Sequence, residues 1–339
     1  MQRKRIVYIG NKLARKGGTV TSIETLGSFL QKEGYEVITS SSMQNKVLRL
    51  LDMLYTVLKS RKSASVVLID TYSTQNFYFA VSVSNLCRLL KIPYVPILRG
   101  GNLPERIHRS KRLAQRLFGG AMTNVAPSMF LMEHFKEAGY TNLTYIPNTI
   151  EIEKYTCKVR KDLNPKLLWV RSFAALYNPD LAVDIVAQCK ALGMDVSLCM
   201  VGPEKDGSLA RCKKEANERQ LNVRFTGKLE KEAWIAMSSE YDIFINTTNF
   251  DNTPISVIEA MALGIPVIST NVGGLPYLIE HNKNGILVAP NDPVLFVQAI
   301  TTLLEGETKA QNLAKNARST VENFAWQKVK HKWFALLNE

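Results

Sequence analysis

The sequence predicts an α/β protein of two domains, each built on a parallel sheet. Three observations carry that prediction. Short apolar, β-rich runs alternate with stretches of helical apolar spacing along the chain. The length of 339 residues suits two domains, each long enough to bury a core. Residues 241–270 read as a buried strand, a helix and a second buried strand, a half-unit of a ligand-binding sheet.

The first half begins with a strand over 5–10 and a polar, basic loop ending in Gly17-Gly18. Residues 19–33 follow as a helix, with Val20, Ile23, Leu26, Phe29 and Leu30 on one side and Gly34 as its stop. Residues 35–39 form the next strand. The loop is not the G-x-G-x-x-G dinucleotide fingerprint, which disfavours a dehydrogenase. Residues 46–62 are mostly apolar with basic flanks, Lys46 and Arg49 on one side and Lys59, Arg61 and Lys62 on the other. Such a helix either covers the sheet or lies in a membrane interface. Strands at 65–70 and 92–98 enclose a helix at 76–90.

Arg99-Gly100-Gly101-Asn102-Leu103-Pro104 follows a strand end, where open α/β sheets hold ligands and glycine permits close approach. Residues 104–118 make a basic helix carrying Arg106, His108, Arg109, Lys111, Arg112 and Arg116. It meets either anionic head groups, an acceptor pyrophosphate, or only solvent. A strand at 122–126, a helix from Pro127-Ser128 to Gly139 and a strand at 143–146 complete this half. Residues 151–165 are polar and read as the linker.

The second half runs through strands at 166–171, 196–201 and 222–226, with helices at 180–192, 208–219 and 231–239 between and after them. The stretch that organises it comes next. Thr253 reads as an N-cap and Pro254 as the first helical residue. The N–H groups of Ile255, Ser256 and Val257 are then free, an anion site favoured by the helix dipole. Asp251 and Glu259 bracket it, and Gly264 closes the helix before a strand at 266–270. Helices at 293–304, 309–324 and 326–337 end the chain.

Composition excludes several classes. No apolar run approaches the roughly 20 residues of a membrane span, and the first apolar run is too short for a signal peptide. Five cysteines without C-x-x-C spacing fit reduced thiols in a cytosol, and the four histidines show no ligand spacing. The net charge of +13 is uneven. Residues 1–150 hold 21 Lys/Arg against 8 Asp/Glu, and the rest hold 22 against 22. The first half therefore either meets an anionic partner or gains solubility from its charge. Aromatics do not interleave with its basic residues, so nucleic acid is not expected.

The central segment resembles the donor-binding segment of the retaining GT-B glycosyltransferases of family 4 (glycosyl transferase group 1). Those carry Glu, seven residues, Glu, then Ala-Met-Ala-x-Gly-x-Pro-Val and a Gly-Gly turn. This chain has Asp251, seven residues, Glu259, then residues 260–267 in the same pattern and Gly273-Gly274, with Asp in place of the first Glu. Residues 146–150 resemble the family's Ile-Pro-Asn-Gly-Val, with Thr149 for the glycine. Asn222–Gly227 and Asn284–Val288 resemble its Val-x-Phe-x-Gly and Asn-Gly-x-Leu-Val stretches.

The resemblance implies a GT-B fold: two facing Rossmann-like domains with parallel sheets and a C-terminal crossover helix. It places an acceptor-binding domain at 1–152, a nucleotide-sugar domain at 153–325, and a helix at 326–339 packed back on the first. It implies retaining transfer from a nucleotide sugar, commonly a UDP-sugar, to a glycan acceptor in bacterial-type surface polysaccharide synthesis. Asp251 would hold the transferred sugar, Glu259 the ribose and Arg171 the diphosphate. The family's Lys a few residues after that Arg is replaced by Leu176-Tyr177, with Lys205 as a candidate substitute. Gly18, Gly202, Lys228 and Leu229, with Asn252, Thr253, Pro254, Ile255, Ser256 and Val257, would line the donor site. Arg99, Gly100, Gly101 and Asn148 would face the acceptor, with Arg99 where many members have His. No metal and no cofactor are expected, the nucleotide sugar being a substrate. The basic half suits a lipid-linked acceptor and an anionic membrane surface, hence a cytoplasmic enzyme peripheral to the inner face of the plasma membrane. A GT-B epimerase and a catalytically silent sugar-nucleotide binder remain alternatives.

Overall fold

Twelve short strands, the central ones buried on both faces, set the architecture of the residues that the computed structural model describes, 4–12 and 21–338. They form two six-stranded sheets, and every strand pair is parallel. Parallel neighbours require crossover helices, and these cover the faces and demand strands that are apolar on both sides. The chain divides into two compact units, Met1–Thr149 with Val329–Glu339, and Ile150–Lys328.

The first unit holds β1 (Arg5–Ile9), β2 (Glu36–Ser40), β3 (Ala64–Thr71), β4 (Tyr94–Leu98), β5 (Asn124–Ala126) and β6 (Leu143–Tyr145). Their order is β2-β1-β3-β4-β5-β6. The helix Trp326–Asn338 contributes its later turns to this unit. Val329, Trp333, Leu336 and Leu337 are buried at helical spacing, Lys330 pairs with Glu33 at 3.2 Å, and Phe334 lies 6.0 Å from Tyr35. The expected single helix over 104–118 is instead broken. Leu103–Arg109 ends at Ser110, whose φ of −127° leaves the helical range, and Lys111–Ala114 and a π-turn at Gln115–Gly119 follow.

The second unit holds β7 (Lys166–Val170), β8 (Ser197–Val201), β9 (Val223–Gly227), β10 (Ile243–Asn246), β11 (Val267–Thr270) and β12 (Ile286–Val288). Their order, β12-β11-β10-β7-β8-β9, is that of a dinucleotide-binding Rossmann sheet read from its far edge. Side chains alternate across it. Leu167, Trp169, Ile243 and Ile245 pack with the helices Pro179–Ala191 and Pro293–Glu305, while Leu168 and Phe244 pack with Ile255–Ala262. The chain steps outward from β7 to β9, then returns to the other side of β7 as β10. The connections leaving β7 and β10 therefore diverge and open a crevice at the carboxyl edge of the sheet. Among the described residues, no helix is long and apolar enough to cross a membrane.

Candidate active site

Arg171 and Asp251 follow β7 and β10, the two strands that flank the crevice, and their side chains form an ion pair. The Arg171 guanidinium also lies over the Tyr177 ring, 4.7 Å from its centroid. Its Nε is buried with no partner among the described residues. A buried cationic N–H without an acceptor is costly unless a ligand supplies one.

The crevice walls are fixed by backbone contact. Residues 175–178 are tied to the segment after β10: Asn249 N–H donates to Leu176 O at 2.9 Å, and Thr247 Oγ1 donates to Tyr177 O and Asn178 O. That knot fills the place of the missing family lysine with Leu176 and Tyr177. Gly202 follows β8, and a Cβ there would come within 1.7 Å of the Arg171 carbonyl oxygen, so glycine is needed to seat Arg171. The loop that follows runs beside 171–173, where Lys205 N–H donates to Phe173 O at 3.1 Å, and the Lys205 side chain is exposed.

The helix start differs by one residue from the sequence expectation. The helix is Ile255–Ala262 and its N-cap is Pro254, extended at ψ 119°, so Thr253 is not the cap and Pro254 is not its first residue. The Val257 N–H donates to Pro254 O at 3.2 Å, which leaves those of Ile255 and Ser256 at the open end. Ser256 Oγ is buried and, like Arg171 Nε, has no partner among the described residues. Gly273 and Gly274 hold the approach to this helix. A Cβ at 273 would lie 2.2 Å from Asp251 O and one at 274 only 1.7 Å from Asn252 O. The family's Gly-Gly turn is thus a packing requirement of residues 251–252.

Glu259 sits on the same helix, 4% exposed. Its Oε1 accepts from Tyr155 Oη at 2.7 Å and pairs with Lys231 Nζ at 2.7 Å. Burial first, and the Glu259 charge second, push the Tyr155 pKa well above the ordinary phenol value, so the hydroxyl remains a donor. Lys228 and Leu229 lie after β9 in the chain leading to Lys231, with Lys228 exposed and 3.7 Å from Glu230.

The sequence of residues 153–320 matches the family described as glycosyl transferases group 1. The chain belongs to that family. Over 293 residues this group 1 glycosyltransferase is 25% identical to the amylovoran biosynthesis glycosyltransferase AmsK of Erwinia amylovora, covering 78% of this chain and 69% of that one. It is 29% identical over 104 residues to the D-inositol 3-phosphate glycosyltransferase of Corynebacterium efficiens, spanning 31% of this chain and 24% of that one. Its structure superimposes on that of Anabaena HepE in complex with UDP and glucose with a TM-score of 0.78 at 17% identity, over 99% of this chain and 100% of that one. That likeness shows the fold, a GT-B arrangement of two Rossmann-like domains.

In the first unit of this group 1 glycosyltransferase, Arg99 and Asn148 meet as a pair, Nη1 to Oδ1 at 2.6 Å. Arg99 Nε is also 2.9 Å from Asp70, whose Oδ1 accepts from Tyr8 Oη at 3.0 Å. Burial works against the Arg99 charge, but Asp70 and the nearby Tyr8 and Tyr72 more than offset it and raise the Arg99 pKa above the ordinary guanidinium value. Gly100 packs on the Ser73 backbone, where a Cβ would meet the nitrogen at 3.0 Å. Gly18 lies outside the described residues. Sequence reasoning missed Tyr155, Lys231, Asp70 and Tyr8. A basic side chain at the start of the helix after β9 was the one local signal for Lys231.

Proposed function

We propose that this group 1 glycosyltransferase moves a sugar, with retention of anomeric configuration, from a UDP-sugar to a hydroxyl of a lipid-linked glycan acceptor in surface polysaccharide synthesis. The observation that carries the donor site is the pair of orphaned buried polar atoms, Arg171 Nε and Ser256 Oγ, at one crevice beside a helix N-terminus. A diphosphate satisfies both. Arg171 and the N–H groups of Ile255 and Ser256 stabilise the departing nucleoside diphosphate as an oxocarbenium-like sugar forms. Asp251 holds hydroxyls of that sugar, exchanging its internal contact with Arg171 for them. Glu259, steadied by Tyr155 and Lys231, accepts from the ribose. Gly202 and Gly273-Gly274 set the walls, and residues 228–229 border the base. The departing phosphate takes the proton of the acceptor hydroxyl on the same face, and no metal or cofactor is required.

The names of relatives support the surface-polysaccharide context: AmsK serves amylovoran biosynthesis, and HepE carries UDP and glucose. The charge excess of the first 150 residues supports an anionic, membrane-linked acceptor and a cytoplasmic enzyme peripheral to the membrane, with Arg99, Gly100, Gly101 and Asn148 on the acceptor side. The test is a thermal-shift series with UDP- and GDP-sugars on wild type, Glu259→Ala and Arg171→Ala. Stabilisation by UDP-sugars that both variants lose is the expected result. No shift with any nucleotide sugar would overturn the reading. Donor consumption that needs no acceptor would convert it to an epimerase or hydrolase.

A further inference from the structure

The helix Lys46–Lys59 of the first unit buries Met53 and Val57 on its inner side, yet carries a second apolar stripe on its outer side. At about 100° per residue, Val47, Leu58, Leu51, Tyr55 and Leu48 fall within one arc of about 100°. That arc is the outward one: these five side chains are 67, 44, 56, 61 and 54% exposed. Arg49 and Asp52 turn toward the protein beside Met53 and Val57. Arg49 is 9% exposed, with Nε donating to Met43 O at 2.7 Å and Nη1 to Asn11 Oδ1 at 3.3 Å. Asp52 accepts from Ser40 Oγ at 2.8 Å. A helix that merely covers a sheet presents its polar side to water. A contiguous apolar stripe on the outside marks an interaction surface.

The setting of the stripe is basic. Lys46 and Lys59, at the two ends of the helix, and Arg61 and Lys62 just beyond it are all exposed. The steps β2 to β3, β3 to β4 and β4 to β5 all run the same way across the sheet. Right-handed crossovers place the three connecting helical segments on one face. The helix Asn76–Leu89 packs beside Lys46–Lys59, and the third segment exposes Arg109, Lys111, Arg112 and Arg116. One layer therefore carries both an apolar stripe and a field of cations, the composition that anionic bilayers attract. Two copies of this face would bring like-charged rims together, which disfavours a second copy as the occupant.

We propose that this helical layer docks the protein on an anionic lipid bilayer. The stripe from Val47 to Leu58 sits at the boundary of head groups and acyl chains, and the flanking Lys and Arg meet lipid phosphates. This deepens the membrane-linked reading above and rests on it, by naming the element that makes the contact.

The test is flotation of the full chain with vesicles of phosphatidylcholine alone or mixed with phosphatidylglycerol. Wild type is expected to float with the mixed vesicles and to remain behind with the neutral ones. The variant Leu48→Gln/Leu51→Gln/Tyr55→Gln should lose about tenfold in vesicle affinity, and Lys59→Gln/Arg61→Gln/Lys62→Gln should lose affinity that added salt also removes. Both should keep the wild-type melting temperature and the wild-type thermal shift with UDP, because the altered side chains are exposed. A stripe variant that floats as wild type does, or a wild type that ignores both vesicles, overturns the proposal. So does a wild-type dimer that the stripe variant converts to monomer, which would assign the stripe to a second copy. The UDP shift is read on the same samples, so failure of docking and failure of the donor site are told apart.

Discussion

Lys231 Nζ sits 2.7 Å from Glu259 Oε1, although the lysine side chain is 49% exposed and the glutamate only 6%. The ammonium reaches in from the rim to a carboxylate that also accepts from the Tyr155 hydroxyl. A half-exposed pair adds little to folding. On the proposed donor site, its value lies in fixing the carboxylate that accepts from the ribose. Lys231→Ala is therefore expected to raise the donor KM about threefold to tenfold, roughly 1 kcal/mol, with little change in melting temperature. Initial rates across donor concentration check this, and an unchanged KM would remove Lys231 from the site.

Tyr155→Phe removes a buried donor to Glu259 and is expected to cost about 1–2 kcal/mol of stability. The pH dependence has a definite sign. The folded pKa of Tyr155 is raised by burial and by Glu259, whereas the unfolded chain titrates at about 10. The unfolded state thus loses its proton first, so this contribution is fully present below about pH 10 and declines as pH rises further. Urea unfolding at about pH 8 and about pH 11 should show a shallower alkaline loss in Tyr155→Phe than in wild type. Equal slopes would contradict the burial of that phenol.

Asp251 pairs with Arg171, the side chain proposed to grip the donor diphosphate. Asp251→Asn should free the guanidinium, tightening free UDP by about threefold to tenfold while lowering turnover at least a hundredfold. Calorimetry with UDP and a turnover assay separate the two effects. Weaker UDP binding in this variant would mean that the carboxylate orients Arg171 rather than restraining it.

A methyl group at residue 274 would stand 1.7 Å from Asn252 O, so the backbone under the proposed donor site must move. Gly274→Ala is expected to destabilise by roughly 2 kcal/mol or more and to weaken nucleotide-sugar binding. Gly193→Ala, at a turn where nothing approaches the added carbon, meets only the strain of φ +76° and serves as the control. Equal loss of donor affinity in both would break the link between this turn and the site.

Thiol reactivity should single out one cysteine. Burial pushes the Cys87 and Cys189 thiols up to about 12 and about 11, and raises Cys199 and Cys212 as well. Cys157 is exposed. An aromatic disulfide reagent at about pH 8 should modify one thiol quickly and the other four only on unfolding. Cys157→Ser should abolish the fast phase.

The alternation of strands and helices and the segment that forms the crevice were within reach of the sequence because the signals are local. β10, the Thr-Pro start and Gly264 lie within about twenty residues of one another, and each is read from its own neighbours. The offset at the helix start has a simple origin: proline takes an extended ψ as readily as a helical one, so Pro254 serves as cap itself. Tyr155 and Lys231 were not legible, since their meeting at Glu259 depends on how three segments 28 to 104 residues apart are stacked. The orientation of Lys46–Lys59 was hidden for another reason. It is apolar on nearly every side, so spacing alone offers no inner face, and the structure turns Met53 and Val57 inward together with the anchored Arg49 and Asp52.

The first unit is interrupted in sequence, taking up residues 1–149 and then 329–339. A ribosome therefore releases its six strands long before the turns bearing Val329, Trp333 and Leu337 exist. Until the segment from Val329 onward emerges, the nascent unit waits with the side of Tyr35 and Glu33 unsealed, while the second unit has already been made in full. The first-made half is thus completed only after the second has been made, and loss of the turns bearing Val329, Trp333 and Leu337 would register as an unfinished amino-terminal domain.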